Sequence, residues 1–175
     1  SFTIVPPAFI TVECDDDNAN NINPYAVDGC DGTPSMLLDI QYDFNKNGCP
    51  NSYLATYTWT VGDKCGNTAE YVQKITVRDT TPPVIACPAN IEIVSSVDVP
   101  VSWAVPKTKD NCGGNIAIVQ IAGPPSGSIF EPNSITTITY ICKDQCGNSS
   151  KCSFTVSVKK AGTKTGNNIS GNVTD

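Results

Sequence analysis

From Tyr53 to Val61 the chain alternates: Tyr53, Ala55, Tyr57, Trp59 and Val61 fall on one side, Thr56, Thr58 and Thr60 on the other. A period of two with one apolar and one polar face marks a half-buried antiparallel strand. A second β run, Tyr71–Val77, follows across the short segment Asp63-Lys64-Cys65-Gly66-Asn67. Two such runs joined by Asp, Gly and Asn predict a hairpin, with Asp closing the turn through its own side chain and Gly or Asn supplying positive φ. The arrangement recurs with Ile135–Cys142, Asp144-Gln145-Cys146-Gly147-Asn148 and Cys152–Val158; from residue 63 to residue 144 is 81 positions. The chain therefore reads as a tandem array.

Further strand candidates are Met36–Tyr42, Val84–Cys87, Ile91–Val94, Val99–Val105 and Ile116–Ala122, with Val99, Val101, Trp103 and Val105 sharing a face. Many short strands, frequent turn signals and no helical period predict an all-β sandwich architecture, with inward stripes that include Trp59, Trp103 and Tyr140. The repeat sets the boundaries. A first unit covers 1–78, of which Ser1–Val5 is so like Ser153–Val156 that 1–7 reads either as the end of a preceding unit or as a strand of this one. Asp79-Thr80-Thr81-Pro82-Pro83 is a proline-stiffened joint, and a second unit covers 79–158. Residues 159–175 turn to Lys, Gly, Thr and Asn and read as a linker.

Composition changes this picture in three ways. Domains of this size bury a limited core, and the nine cysteines among 175 residues are the natural reinforcement as disulfides, which places the chain outside the cytoplasm. Zinc is disfavoured, because there is no His and no C-x-x-C pair. The formal charge of −6, concentrated before residue 79, argues against nucleic acid as a partner. No apolar run approaches membrane-spanning length, so no membrane insertion is expected in this segment. The chain opens at Ser1 without a signal-peptide pattern and its one Met is internal, so we expect a segment of a longer secreted protein.

Candidate chemistry is sparse. Without His, a Ser-His-Asp triad or a Cys-His pair is impossible, and small sandwiches seldom offer the cleft a carboxylate pair needs. We therefore expect no enzyme, no catalytic residues and no cofactor-binding residues. Calcium is the one candidate cofactor, at Glu13, Asp15, Asp16 and Asp17, although consecutive carboxylates on a strand point to opposite faces and no EF-hand spacing is present. Solvated acidity is the plainer reading of that cluster. In a eukaryotic host Asn148, Asn168 and Asn172 would be N-glycosylation sequons.

A family resemblance rests on Asp79-Thr80-Thr81-Pro82-Pro83, Cys87-Pro88, Trp103, Asp110-Asn111-Cys112, Phe130, Tyr140, Asp144 to Asn148 and Cys152–Val158. In that order they resemble a hyalin repeat (HYR) domain over about residues 79–158, which implies an immunoglobulin-like fold and two such units in tandem. The first unit resembles the cysteine-rich relative found in very large surface proteins of gliding and marine (Bacteroidota-type) bacteria, through Val12-Glu13-Cys14-Asp15, Asp28-Gly29-Cys30, Cys49–Tyr53, Thr58-Trp59-Thr60 and Asp63 to Asn67. That likeness implies export by the type IX route, and Asp79-Thr80-Thr81 is similar to the O-glycosylation motif of the same group, with Thr80 as acceptor. Ile169–Asp175 resembles the opening strand of a carboxypeptidase-regulatory-like domain.

If the two units share a fold, Cys30–Cys65 and Cys112–Cys146 are equivalent bridges, which leaves Cys14–Cys49, and the family pattern implies Cys87–Cys152. Positional equivalence carries this pairing, since four cysteines alone allow three connectivities. Cys142 is then the odd one, a buried free thiol or a bridge to another chain. The resemblance implies a non-catalytic structural and adhesive repeat, the stalk or filament of a cell-surface adhesin involved in cell adhesion, with neighbouring repeats as partners and an unidentified glycan or protein ligand. The alternative is a carbohydrate- or protein-binding accessory module of a secreted enzyme. Such modules display exposed aromatics, whereas Trp59, Trp103 and Tyr57 fall on faces assigned to cores.

Overall fold

A computed structural model of the chain describes residues 2–4, 9–16, 25–29, 34–44 and 48–162. Every regular element among them is a strand: β1 (Phe2–Ile4), β2 (Phe9–Glu13), β3 (Ala26–Asp28), β4 (Ser35–Phe44), β5 (Tyr53–Gly62), β6 (Thr68–Arg78), β7 (Val84–Ala86), β8 (Ile91–Val94), β9 (Val99–Pro100), β10 (Lys107–Lys109), β11 (Ala117–Ala122), β12 (Ile129–Phe130), β13 (Ser134–Lys143) and β14 (Ser149–Lys159). The fold is all-β and sandwich-like, reinforced by disulfides.

The repeat unit predicted at 1–78 is not by itself a compact body. One compact unit comprises Ser1–Ile85, Lys107–Val119 and Ile141–Lys151, and the other comprises Ala86–Pro106, Gln120–Tyr140 and Cys152–Asp175. The first therefore takes in the turns and strand ends of the second repeat that carry Asp110, Cys112, Asp144 and Cys146.

In the first unit the main sheet runs β2-β6-β5-β4. β5 pairs antiparallel with both long neighbours, Trp59 opposite Tyr71 on one side and Leu38 on the other. β2 lies parallel to β6, with Val12 beside Val77. The alternating stripe is buried as its pattern requires: Ala55, Tyr57, Trp59 and Val61 pack inward, and Ile75 and Val77 of β6 join the first three in one cluster. Tyr57 and Trp59 stack with ring centroids 5.6 Å apart. The same face continues onto the edge strand β4 as Met36, Leu38, Ile40, Tyr42 and Phe44, all exposed among the described residues. Tyr42 and Phe44 form an aromatic group with Tyr53, at 5.7 and 5.9 Å.

In the second unit, Val101, Phe130, Ile138, Tyr140, Phe154, Val156 and Val158 are buried. The edges of Phe130 and Phe154 meet Trp103 at 6.3 and 5.4 Å. Trp103 Nε1–H donates to the Tyr140 hydroxyl at 2.9 Å, which donates to Gln120 Oε1 at 3.1 Å. The Gln120 amide in turn donates to the carbonyls of Gly123 and Pro124 at 3.0 and 2.8 Å. Gly123 has φ +83°, and a Cβ there would meet the Thr137 carbonyl oxygen at 2.8 Å, so the loop that receives the amide is fitted to glycine.

The predicted strand Val99–Val105 is cut to Val99–Pro100. Pro100 and Pro106 carry no N–H to donate to a ladder. Between them, Ser126 substitutes a side chain for a partner strand: its Oγ accepts from Trp103 N–H at 2.8 Å and donates to Trp103 C=O at 3.0 Å. The chain leaves its face there, and Val105 is 65 % exposed.

Tyr140→Phe keeps the ring packing but leaves Trp103 Nε1–H and Gln120 Oε1 without their shared partner. We expect a loss of about 1–3 kcal/mol in urea denaturation followed by circular dichroism, the range for orphaning buried polar groups. A variant as stable as the parent would show the network to be incidental.

Candidate functional site

Both hairpin turns fold as their sequences dictate, and the difference between them locates the site. In the first, Asp63 Oδ1 accepts from the N–H groups of Cys65 and Asn67 at 2.9 and 2.8 Å, and Oδ2 accepts from Asn67 Nδ2 at 2.6 Å. In the second, Asp144 Oδ1 accepts from Gly147 and Asn148 N–H at 2.6 and 2.8 Å, and Oδ2 from Asn148 Nδ2 at 2.9 Å. Asp63 is solvated, and its hydrogen bond from the Asn67 side chain holds its pKa below the ordinary value. Asp144 is only 6 % exposed and has company.

That company is Asp79 and Asp110. One carboxylate oxygen from each of Asp79, Asp110 and Asp144 lies within 4.8 Å of the others. Asp79 is 7 % exposed, and burial pushes its carboxyl above the ordinary range; the Thr81 N–H pulls back, while Asp110, Asp144 and Glu13 push the same way as burial. Asn148 ties the turn to this group by donating to the Asp79 carbonyl and to Asp79 Oδ1, both at 3.3 Å. Asp110 Oδ1 accepts from Cys112 N–H at 2.9 Å in a turn of its own.

Two disulfides bracket the cluster, and they correct the expected pairing. Cys14 is joined to Cys112, not to Cys49, with Cα atoms 5.6 Å apart. Cys49 is joined to Cys146, so Cys112–Cys146 does not form either; here the Cα atoms are 4.5 Å apart. The equivalence argument assumed that each repeat closes on itself. Instead the Cys49–Asn51 loop packs on the turns of the second repeat: Asn51 Nδ2 donates to Cys112 C=O at 2.6 Å, and a Cβ on Gly114 (φ +87°) would meet Pro50 Cγ and Gln145 Oε1, each at 2.7 Å. Lack of a counterpart in the other repeat did not mark these cysteines, since Cys87 and Cys152, which pair within one repeat, also lack one.

Cys87 and Cys152 are bridged, the pair the family pattern implies, with Cα atoms 5.7 Å apart. Cys142 is a buried free thiol, its Sγ 3.2 Å from Ser150 Oγ. Cys65 is a free, exposed thiol, and its expected partner Cys30 lies outside the described residues.

The other candidate residues fare unevenly. Glu13 does not gather with Asp15 and Asp16. It sits at the end of β2, and its carboxylate accepts from Thr80, from the N–H at 3.1 Å and from the hydroxyl. Asp17 lies outside the described residues, as do Asn168 and Asn172. Thr80 is exposed but spends its hydroxyl on Glu13, and the Asn148 amide is taken by Asp79 and Asp144. Sequence reasoning treated Asp144 as a turn-closing residue, which it is. It missed Asp79 and Asp110, which lie 31 and 34 positions from their neighbours in the cluster and are brought together only by the fold.

Residues 78–158 match the family model of the HYR domain. This stretch is similar to the HYR domain. Among curated relatives, the sushi, von Willebrand factor type A, EGF and pentraxin domain-containing protein 1 of Rattus norvegicus is 32 % identical over 105 residues, 58 % of this chain and 3 % of the relative. Hyalin of Strongylocentrotus purpuratus is 36 % identical over 110 residues, 59 % of this chain and 9 % of its own length. The chain thus spans a small fraction of the relatives it matches. Among solved structures, the first four extracellular domains of Drosophila N-cadherin align over 90 % of this chain and 49 % of that one, at 13 % identity and a TM-score of 0.36. The HYR stretch carries the Asp79, Asp110 and Asp144 carboxylates, and of the bridged cysteines it lacks Cys14 and Cys49 alone.

The raised pKa of Asp79 has a pH consequence. An acid whose pKa is higher folded than unfolded binds protons more tightly in the native state, so its contribution to stability falls as pH rises from its unfolded value, about 3.9, through its folded value. Asp79→Asn keeps the acceptor for Thr81 and Asn148 and removes the charge. In chelator-treated buffer we expect its stability relative to the parent to improve as pH rises from about 3.5 toward neutrality. Asp63→Asn should show the opposite trend, because a lowered pKa gives stability that is present at high pH and lost on acidification. Denaturation midpoints across that range check both signs.

Proposed function

We propose that this chain is a non-catalytic, extracellular structural and adhesive segment of a longer protein, in which covalent bridges between successive repeats make a load-bearing spacer. The observation that carries the proposal is the pair of bridges Cys14–Cys112 and Cys49–Cys146, with sequence separations of 98 and 97 residues. Both bridges close within one compact unit, and each encloses the Asp79–Pro83 joint in its loop. Bridges from one repeat to the next prevent the joint from extending. Three disulfides support a location outside the cytoplasm, and no helix among the described residues is long and apolar enough to cross a membrane. The match to the HYR domain, and the likeness to hyalin and to a large multidomain protein, support the modular, adhesion-type reading. These relatives are animal proteins; a gliding-bacterial host and the type IX route draw no support from them, and the proposal stands without either.

Pulling single molecules by their ends tests load-bearing. In oxidising buffer the chain should extend to less than half the length it reaches after reduction, since each bridge removes the loop it closes. Equal extension in the two conditions would sink the spacer reading.

One observation favours a second reading, that of a glycan-binding module. Tyr42 and Phe44 are 50 % and 66 % exposed and sit beside Tyr53 on an open face of β4, and exposed aromatics are what sugar rings stack upon. Here we expect titration calorimetry against soluble polysaccharides to give heat that vanishes in Tyr42→Ala/Phe44→Ala; no heat with any polysaccharide removes this alternative.

A further inference from the structure

We propose that Asp79, Asp110 and Asp144 form a calcium-binding site within the disulfide-bracketed end of the first compact unit. The three carboxylates come from a linker and two turns. They lie within 4.8 Å of one another, and Asp79 and Asp144 are more than nine-tenths buried. Among the described residues no Lys or Arg forms an ion pair with any of them; the ion pair seen there joins Lys159 to Glu92. Like charges packed this closely, away from water, need a counter-charge or a proton.

Asp110 favours the counter-charge. Its Oδ2 has essentially no accessible surface and no hydrogen-bond partner, so no neighbouring N–H or O–H compensates it. Asp144 accepts three hydrogen bonds from Gly147 and Asn148, and Asp79 Oδ1 accepts two from Thr81 and Asn148; with about four lone-pair sites per carboxylate, the Oδ2 atom of each keeps capacity for a cation. A buried, unpartnered oxygen on a carboxylate that gathers with two more is a free ligand position. Oxygens sharing one calcium ion at about 2.3–2.6 Å lie within about 5 Å of each other, which the cluster satisfies. The donor set is all oxygen, which selects a hard cation. Magnesium would require a tighter octahedron with several retained waters, for which a buried set of turn-pinned carboxylates is poorly suited.

The twin turn is an internal control. Asp63 also accepts three turn hydrogen bonds, of which the two from Asn67 match those from Asn148 to Asp144, yet among the described residues no two further carboxylates gather with it. The turn alone therefore does not make the site. Glu13 approaches Asp79 and Cys112 but gives its carboxylate to Thr80, so it adds negative potential at the rim.

The test uses the oxidised 175-residue chain in chelator-treated buffer near neutral pH. Titration calorimetry with calcium chloride should show one site with a dissociation constant of about 10⁻⁴–10⁻³ M, the range of extracellular modules. The thermal midpoint should rise with calcium and return with EDTA. Asp110→Asn, which keeps the acceptor for Cys112 N–H, should weaken binding by about tenfold or more without lowering the cation-free midpoint. Asp79→Asn is the second variant, should the first fail to fold. Asp15→Asn/Asp16→Asn should bind like the parent. The proposal is overturned by a parent that ignores calcium up to about 10 mM, by Asp110→Asn or Asp79→Asn binding as tightly as the parent, or by loss of binding in Asp15→Asn/Asp16→Asn.

Discussion

The bonds from Cys14 to Cys112 and from Cys49 to Cys146 set the terms for everything around them. In a chain-entropy account, closing a loop of nearly a hundred residues removes about 4.7 kcal/mol of freedom from the unfolded chain. The second bridge adds less, because the first already confines most of its loop. The bonds also impose a charge problem. Glu13 precedes Cys14, Asp110 lies two residues before Cys112, and Asp144 lies two residues before Cys146. Forming the bridges brings acid to the same place, where Asp79 already sits buried. Covalent closure at this end of the unit and the carboxylate cluster are thus two aspects of one packing choice.

The paired hairpins separate what local sequence decides from what the fold decides. Asp-x-Cys-Gly-Asn suffices for the turn: in both copies the Asp accepts from the backbone and side chain of an Asn four residues on, and Gly66 and Gly147 take φ of +87° and +101°. Ionisation follows a different rule. Asp63 is held below the ordinary carboxylate range by its Asn67 hydrogen bond because water still surrounds it. Asp79, beside Asp144, is pushed upward by burial against the pull of the Thr81 N–H. Hydrogen bonding and desolvation act in opposite directions, and burial determines which prevails.

What was legible in the residues was what depends on neighbours along the chain. The stripe on Tyr53–Val61 and the hairpins at Asp63 and Asp144 follow from a period of two and turn chemistry. The same logic overreached at Val99–Val105, because periodicity carries no information on how far a partner strand extends: the pairing from β12 ends at Val101, and a serine side chain takes its place at Trp103. Disulfide pairing was less legible. Cys87–Cys152 follows a family pattern within one repeat, whereas Cys14 and Cys49 find partners about a hundred residues away, chosen by how the Pro50 loop packs against Gly114 and Gln145. The Asp79–Asp110–Asp144 group was hidden for the same reason.

The edge strand β4 shows what the acid excess of the first repeat is for. Ten residues long and exposed throughout, β4 has an apolar face running from Met36 to Phe44 and lacks the lysines or prolines that commonly blunt an edge. Such a strand invites pairing with its own copies. Asp39 and Asp43 lie on its other face, opposite Thr58 and Leu54 of β5. Two β4 strands brought edge to edge would bring those carboxylates toward one another, and the net charge of −6 opposes approach at longer range. Negative charge therefore protects the apolar edge from its own copies while leaving it open to a neutral partner such as a sugar ring. A ligand carrying the same sign would be repelled as strongly as a second copy.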